Sequence, residues 1–338
     1  SPPVAFTLAA EVPAGRVVRL HRLPSGVAVH ESGERDWRLL VAQAGGPLVE
    51  LEALRQAPER HRPFEALFVG GAGDEVWISL SDTEHFPSFF FTTLRVSGGT
   101  VKRVQGKWYR ALASLDSGDL VALPSREIPT YLRDSRPQAL ERVSGARSEV
   151  PTIPKGLRLY DVEILPSGRI HALGSRLVGD ESTLVAWIAA PGAPPRTLPL
   201  PPGIGTNQPS LVRGSRTFLA TSLVEGEPSW ITERDGALVA VRARAPFASA
   251  VVGPDGDAWF TEEERGVGPR LLRARLDPAR GAPHDPTTVP LPSAADLAAA
   301  GARRCRAIES VDGIVPLAET TWLAVTCTGD AQAVLHLP

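Results

Sequence analysis

The sequence predicts an all-β fold, a seven-bladed β-propeller made of four-stranded antiparallel blades. Two observations predict it. First, an apolar run, a turn with glycine and a second apolar run recur along the 338 residues, and the turn glycines are 42 to 50 residues apart. Second, a polar loop, a third apolar run and a fourth strand follow most copies. Four strands in 40–50 residues is the period of a propeller blade.

The copies follow one another in order. Those with a glycine turn are 20–31, 67–80, 112–123, 162–173, 210–221 and 250–261, turning at Gly26, Gly73, Gly118, Gly168, Gly214 and Gly256. A seventh copy, 314–325, has Glu319 and Thr320 in place of the glycine turn. Fourth strands are predicted at 47–54, 100–106, 196–201, 237–243 and 287–292. The seven Trp residues fall one per unit, and we interpret them as packing between blades.

The chain ends at the third strand of the seventh copy, 333–338. We therefore expect the N-terminal strand, 4–10, to supply the missing fourth strand and close the ring, so that the whole chain, 1–338, is one domain. In a competing register, 307–311 is the first strand of blade seven and the N-terminal strand is an extra one. An insertion, 278–304, separates blades six and seven and could cover the channel mouth. Its part 293–304 has a helical pattern, which Ser293 could cap.

Charge and composition limit the classes of partner. A net charge of −2 and a pI near 6.4 leave no basic excess to neutralise phosphates, so no nucleic-acid partner is predicted. No run approaches the roughly 20 apolar residues of a membrane helix. The chain begins at Ser1 and contains no Met, which suits either a mature exported chain or a trimmed one. We expect a secreted, periplasmic or cell-surface protein, and association with the cell envelope is compatible with the sequence.

The two cysteines test the strand register. Cys305 precedes the first strand of blade seven and Cys327 ends its second strand, so both lie on the same face of the blade. A disulfide there would join the blade that closes the ring, as expected in an oxidising compartment. The alternative is two buried free thiols.

Basic residues are concentrated in the loops that enter the blades, and acidic residues in the loops between second and third strands. We expect both sets of loops to share one face, with the basic set nearer the axis, where it could attract an anion. The alternative is a solvated face of weak ion pairs. Candidate binding residues on this face are Arg62, Arg110, Arg158, Arg306, His30 and His85.

No HxH, HExxH or GxSxG motif is present, so no local signature of a zinc protease or a hydrolase occurs. Hard cations such as Ca²⁺ or Mg²⁺ bind to several carboxylate oxygens. The first residues to consider as ligands of such an ion are Asp82, Glu84, Glu262 and Glu263.

The stretch GPDGDAWFTE, 253–262, resembles the blade signature of virginiamycin B lyase-like and NHL-type propellers. For the enzymatic members of that group, the resemblance implies a metal-assisted lyase or lactonase-like site at the channel mouth. Here the signature occurs once, and no closely spaced His and Glu pair follows in the last blades. The resemblance therefore carries over no catalytic residue.

Two functions are compatible with these sequence features. The favoured one is a non-enzymatic exported propeller that binds a protein or glycan partner through its loop-rich face. The alternative is a lyase or hydrolase assisted by a divalent cation at the channel mouth. Propellers host both classes, so the fold does not choose between them.

Overall fold

The computed structural model describes residues 4–338 except 44–45, 62–63, 73–74, 83–90, 105–107, 126–139, 145–149, 179–180, 205–208, 244–246, 265–267 and 278–280. The side chains of some strand residues beside these gaps, including Arg110 and Glu263, are also outside the described part.

The described strands form seven antiparallel sheets, which are the blades of a seven-bladed β-propeller. The N-terminal strand is β1 (Thr7–Val12). Blade one contains β2 (Val17–Leu23), β3 (Gly26–Ser32), β4 (Trp37–Gln43) and β5 (Val49–Glu50). Blade two contains β6 (Phe64–Ala72), β7 (Glu75–Asp82), β8 (Phe91–Ser97) and β9 (Thr100–Val104). In blade three the described strands are β10 (Trp108–Ser114), β11 (Leu120–Ser125) and β12 (Glu141–Ser144).

The remaining blades continue in chain order. Blade four contains β13 (Leu157–Ile164), β14 (Ile170–Val178), β15 (Glu181–Ala190) and β16 (Ala193–Pro199). Blade five contains β17 (Ser210–Leu211), β18 (Leu219–Val224), β19 (Glu227–Arg234) and β20 (Ala237–Arg242). Blade six contains β21 (Phe247–Val252), β22 (Asp257–Glu264), β23 (Gly268–Asp277) and β24 (Ala282–Val289). The helix α1 (Ala294–Ala299) precedes β25 (Ile308–Pro316), β26 (Thr321–Cys327) and β27 (Ala331–Leu337) of blade seven.

The N-terminal strand completes blade seven, as predicted. The sheet order is β1-β27-β26-β25, and Leu8 pairs with Leu335 while Glu11 pairs with Ala333. The competing register is also partly right, because β25 begins at Ile308 and continues through two bulges to Pro316. The two interpretations therefore do not exclude each other: one long strand contains both proposed first-strand segments.

The turn glycines have two different physical reasons. Gly168 and Gly256 have φ of +80° and +88°, the left-handed region that a residue with a Cβ rarely adopts. Gly26 instead begins β3, and a Cβ there would lie 2.0 Å from the carbonyl oxygen of Ala42. At this position of the repeat, glycine is thus required for a left-handed backbone conformation in blades four and six, and for a close contact between strands in blade one.

The structure divides the chain into two compact units, Ser1–Glu65 with Ala243–Pro278 and Ala282–Pro338, and Ala66–Arg242 with Ala279–Gly281. In both units the core lies between successive blades. In the first, Trp322 of blade seven packs with Val18, Val27 and Val29 of blade one. In the second, Trp187 of blade four packs with Val121 of blade three. Both Trp side chains are fully buried, which confirms the interpretation of these two residues as packing between blades.

Two predicted segments differ from the structure. The fourth strand expected at 47–54 is only Val49–Glu50, and a 3-10 helix, Glu52–Gln56, replaces its remainder. Part of the expected insertion, 278–304, is instead β24, which pairs with β23 and completes blade six. Among the described residues, no helix is long and apolar enough to cross a membrane.

Candidate functional site

A short loop enters blade seven between α1 and β25, and we name residues 300–307 the arginine loop. Its Cys305 forms a disulfide with Cys327 at the end of β26, with a Cα–Cα distance of 5.1 Å. The predicted pair is confirmed, and both cysteines are buried. The disulfide therefore fixes the loop to the second strand of the blade.

A carboxylate holds the same loop from its other side. The backbone N–H groups of Arg303, Arg304 and Cys305 donate to the Glu11 carboxylate, at 2.9, 2.8 and 2.7 Å. Burial alone would raise the pKa of Glu11, but these hydrogen bonds and the positive charge of Arg304 lower it below its usual value. Glu11 lies in β1, so one side chain ties the closing strand to the loop.

The preceding helix gives the loop a third support. Ser293 caps α1 in a reciprocal capping box with Asp296, as the sequence suggested for this serine. Leu297 is fully buried in the core between blades six and seven. The N–H of Ala302 donates to the carbonyl of Leu297 at 3.0 Å, and that of Thr328 donates to Ala307 at 2.9 Å. The loop backbone is thus bonded at several points to its surroundings.

The side chains of this fixed loop are cationic and open to solvent. Arg303, Arg304 and Arg306 are all exposed. Within the part of the chain that the structure describes, their guanidinium groups form no hydrogen bond or ion pair; Arg304 has only a longer-range attraction to Glu11. Asp330, the acidic residue of the loop between the second and third strands of this blade, has no ion pair with them either among these residues. Three positive charges in four residues are therefore available to an anion.

Blade one shows the opposite arrangement at the corresponding position. Arg16 precedes its first strand, and its Nη1 lies 2.7 Å from Asp36 while its Nε lies 2.6 Å from Glu31. Arg38 donates to the other oxygen of Glu31 at 2.7 Å. Here Arg16 of the entry loop is neutralised by Asp36 of the second loop and by Glu31, which is buried at the end of β3 and so is not part of a solvated face. In blade seven the arginines that precede the first strand have no such carboxylate partner among the described residues.

A groove of about 940 Å³ lies along the segment that leads into the arginine loop. We name it the rim groove. Its apolar lining includes Val4, Val289, Leu291 and Leu337, and Ala295 of α1 contributes an exposed methyl group. A volume of this size is within the range of sites that take small molecules or side chains.

A second cavity, of about 430 Å³, lies on blade six beside Asp255, Asp257, Arg273 and Arg275. Arg273 is already bound there: it donates to Asp257 at 2.8 Å and to Asp255 at 2.6 Å, and it lies over the Trp259 ring. Blade two repeats the arrangement with Glu75, Trp77 and Arg95. An acid, a Trp two residues later and an Arg on the next strand thus form a packing unit that stabilises the blade.

The predicted binding residues are not all assembled. Arg306 belongs to the arginine loop, and Arg158 is exposed in β13 without an ion pair among the described residues. The backbone of Arg110 lies in β10, but its side chain is outside the described part. Arg62 and His85 lie outside the described residues.

The expected position of His30 was wrong. It lies in β3 instead of a loop, with no exposed surface and its ring 5.7 Å from that of Trp37. Burial, with the nearby charges of His21, Arg19 and Arg16, lowers the pKa of His30 to about 3. Neither ring nitrogen has a hydrogen bond in the described part, so this side chain is a neutral core residue and not a surface ligand. The strand continues three residues beyond its apolar run, from Val29 to Ser32.

Only one of the four candidate metal ligands has a described side chain. Glu262 lies half-buried in β22 with its carboxylate 3.7 Å from Arg270. The backbones of Asp82 and Glu263 lie in β7 and β22, and Glu84 is outside the described residues. Among the described residues, no three His, Cys, Asp or Glu side chains are grouped to hold a metal ion. No cofactor is expected for the favoured function, and binding of Ca²⁺ or Mg²⁺ stays an expectation of the alternative, metal-assisted one.

Comparison with known proteins gives the fold and little more. No family model matches the sequence, and no curated protein matches it. A puromycin-hydrolyzing peptidase from Mycobacterium tuberculosis has a similar structure (TM-score 0.60, 13% identity, covering 98% of this chain and 55% of that one). The β-propeller domain of the Trilobed protease from Pyrococcus furiosus is also similar (TM-score 0.51, 10% identity, 94% and 92%). So is prolyl oligopeptidase B from Galerina marginata (TM-score 0.54, 8% identity, 93% and 48%).

These similarities show the fold alone. The chain spans about half the length of the two peptidases, so most of its own fold corresponds to only part of theirs. At identities of 8 to 13%, none of their residues can be assigned to positions of this chain. The resemblance of one blade to virginiamycin B lyase-like propellers stays unconfirmed.

Proposed function

We propose that this chain is a non-enzymatic, exported binding propeller that takes a protein or glycan partner through the loop face of blade seven. One observation carries the proposal: Arg303, Arg304 and Arg306 are exposed and without ion pairs in the described part, on a loop held by a disulfide and by Glu11. A fixed loop loses little conformational entropy when it binds, so more of the contact energy is available as affinity. The disulfide supports export, since such bonds persist in oxidising compartments.

The charge on the loop predicts the chemistry of the contact. Guanidinium groups bind carboxylate and sulfate oxygens through paired N–H donors, and anions of either kind occur on proteins and glycans. The corresponding arginine of blade one is already neutralised, so we expect binding to depend on blade seven and not on the arginines in general.

Two triple variants test the proposal. In the first, Arg303, Arg304 and Arg306 are changed to Gln; in the control, the ion-paired Arg55, Arg196 and Arg242 are changed to Gln. Both lose the same charge. Binding of fluorescent polyglutamate and of a heparin octasaccharide is measured by anisotropy at low and high NaCl. The loop variant should bind at least one probe roughly tenfold or more weakly, from three contacts of about 0.5–1 kcal/mol each. Equal affinities for the two variants would refute the proposal.

A further inference from the structure

We propose that the partner is an acidic protein segment, whose carboxylates contact the arginine loop while one of its apolar side chains enters the rim groove. This inference rests on the proposed function, because it identifies the partner of the same surface. It commits to a protein where the function above leaves protein and glycan open.

The rim groove and the arginine loop belong to one continuous segment. Pro290, Leu291 and Ser293 line the groove together with Ala295 and Asp296 of α1, and the arginine loop begins directly after this helix. The hydrogen bond from Ala302 to Leu297 folds the start of the loop back on α1. On the strand side, Leu337 of the groove lies four residues along β27 from Ala333, the pairing partner of Glu11, which is about 13 Å at roughly 3.3 Å per strand residue. An extended peptide covers that distance with about three or four residues.

The apolar lining of the groove favours a protein partner over a glycan. Val4, Val289 and Leu291 are half-buried and offer hydrocarbon surface to an occupant, which an aliphatic side chain would bury with a gain in free energy. A sulfated sugar has no aliphatic side chain to place there, and the hydroxyl and sulfate groups around its ring would lose water without gaining hydrogen bonds. An apolar pocket beside a charged rim is the usual composition of a protein interface.

Charge complementarity indicates that the partner is negatively charged where it contacts the arginine loop. The arginine loop presents three guanidinium groups that lack an ion pair in the described part, and the Glu11 carboxylate that contacts the loop backbone is occupied by three backbone N–H groups. The carboxylate of Asp296, which also lines the groove, is likewise bound in the capping box of α1. The surface therefore favours acidic residues at one end of a bound segment and an apolar residue at the other.

Two peptides of equal charge provide the test on the full chain. Each contains the same cluster of glutamates; one has leucines three or four residues from the cluster, and the other has serines there. A heparin octasaccharide is the third probe. We expect the leucine peptide to bind at least about tenfold more tightly than the serine peptide, as burial of one leucine allows. It should also bind more tightly than the heparin fragment.

Matched variants locate the effect. Ala295→Gln places a larger polar side chain in the groove, and Ala298→Gln makes the same change at an exposed position of α1 outside the lining. Ala295→Gln should remove the preference for leucine, and Ala298→Gln should keep it. Val4→Gln, at the other side of the groove, serves as a second blocking variant if Ala295→Gln melts differently from its control.

The outcomes separate this inference from the proposed function. If the arginine variant weakens both peptides but leucine gives no advantage, the binding surface stands and the acidic, apolar partner is refuted. If heparin binds more tightly than the leucine peptide, the partner is a glycan and the inference is overturned. If no probe depends on the arginines, both proposals fail.

Discussion

Glu11 should contribute more to stability than any other surface carboxylate of blade seven, because it joins the closing strand to the arginine loop. Its Oε1 accepts the N–H groups of Arg304 and Cys305, and its Oε2 accepts that of Arg303. A hydrogen bond to a charged group contributes about 1.5–3 kcal/mol when buried, and about 1 kcal/mol where water can replace it, as at this half-exposed site. Glu11→Ala should therefore cost about 2–4 kcal/mol.

The amide variant gives a sharper expectation. In Glu11→Gln, a carbonyl oxygen at the position of Oε1 keeps two of the three hydrogen bonds, so the cost should be about 1 kcal/mol. At roughly 2 °C per kcal/mol for a chain of this size, the melting temperature should fall by about 4–8 °C for Ala and about 2 °C for Gln. Differential scanning calorimetry under non-reducing conditions measures both.

A control and a pH series complete the experiment. Glu319→Ala, at an exposed turn position without a hydrogen bond in the described part, should change the melting temperature by no more than about 1 °C. Because the pKa of Glu11 is lowered in the folded state, its contribution is present above the unfolded value of 4.5 and is lost as pH falls through the lower folded pKa. The deficit of Glu11→Ala should thus vanish in strong acid. Equal melting of the Glu11 and Glu319 variants at pH 7 would refute the role of this carboxylate.

Three further predictions concern other parts of the chain. Changing Cys305 and Cys327 to Ser should cost about 3 kcal/mol, from the loop-entropy account for a separation of 22 residues, and a melt unchanged from that of the wild type would contradict it. Because burial lowers the pKa of His30 to about 3, the unfolded chain binds a proton below pH 6.5 that the folded chain does not. The melting temperature should therefore fall as pH drops from 6.5 toward 3, and it should fall less steeply for His30→Leu. Equal slopes would count against a buried neutral imidazole. A panel of divalent ions after chelator treatment should give no ion-specific rise in melting temperature, since Glu262 faces Arg270; a selective rise that is lost in Glu262→Gln would instead support the metal-assisted enzyme.

The sequence predicts several separate features of the site: the disulfide, the closing strand and the start of the helix. The strand register placed Cys305 and Cys327 on one face, and the closing strand was expected at 4–10, one residue before Glu11. Serine at 293 indicated the helix start. Glu11 itself was missed, because 294 residues separate it from Cys305 and no local pattern marks a carboxylate that accepts backbone N–H groups.

The sequence does not predict which of the arginines form ion pairs. Basic entry loops and acidic second loops were expected throughout, and the pattern cannot say which arginines meet a carboxylate. In blade one Arg16 reaches both Glu31 and Asp36, whereas in blade seven Asp330 makes no ion pair with the arginine loop among the described residues. Ion pairing requires atoms within about 4 Å, and such distances depend on the path of each loop.

The sequence by itself determined the number of blades, the strand order and the closure by the N-terminal strand, because these follow from repeated apolar runs and turn residues that act over a few positions. Tertiary structure alone decided that Gly26 serves a close strand contact, that His30 is buried and neutral, and that the arginine loop is fixed yet unneutralised within the described part. The physical reason is the range of the interactions. Strand patterns are local, whereas burial, backbone hydrogen bonds to a distant carboxylate and ion pairs arise only when remote segments meet.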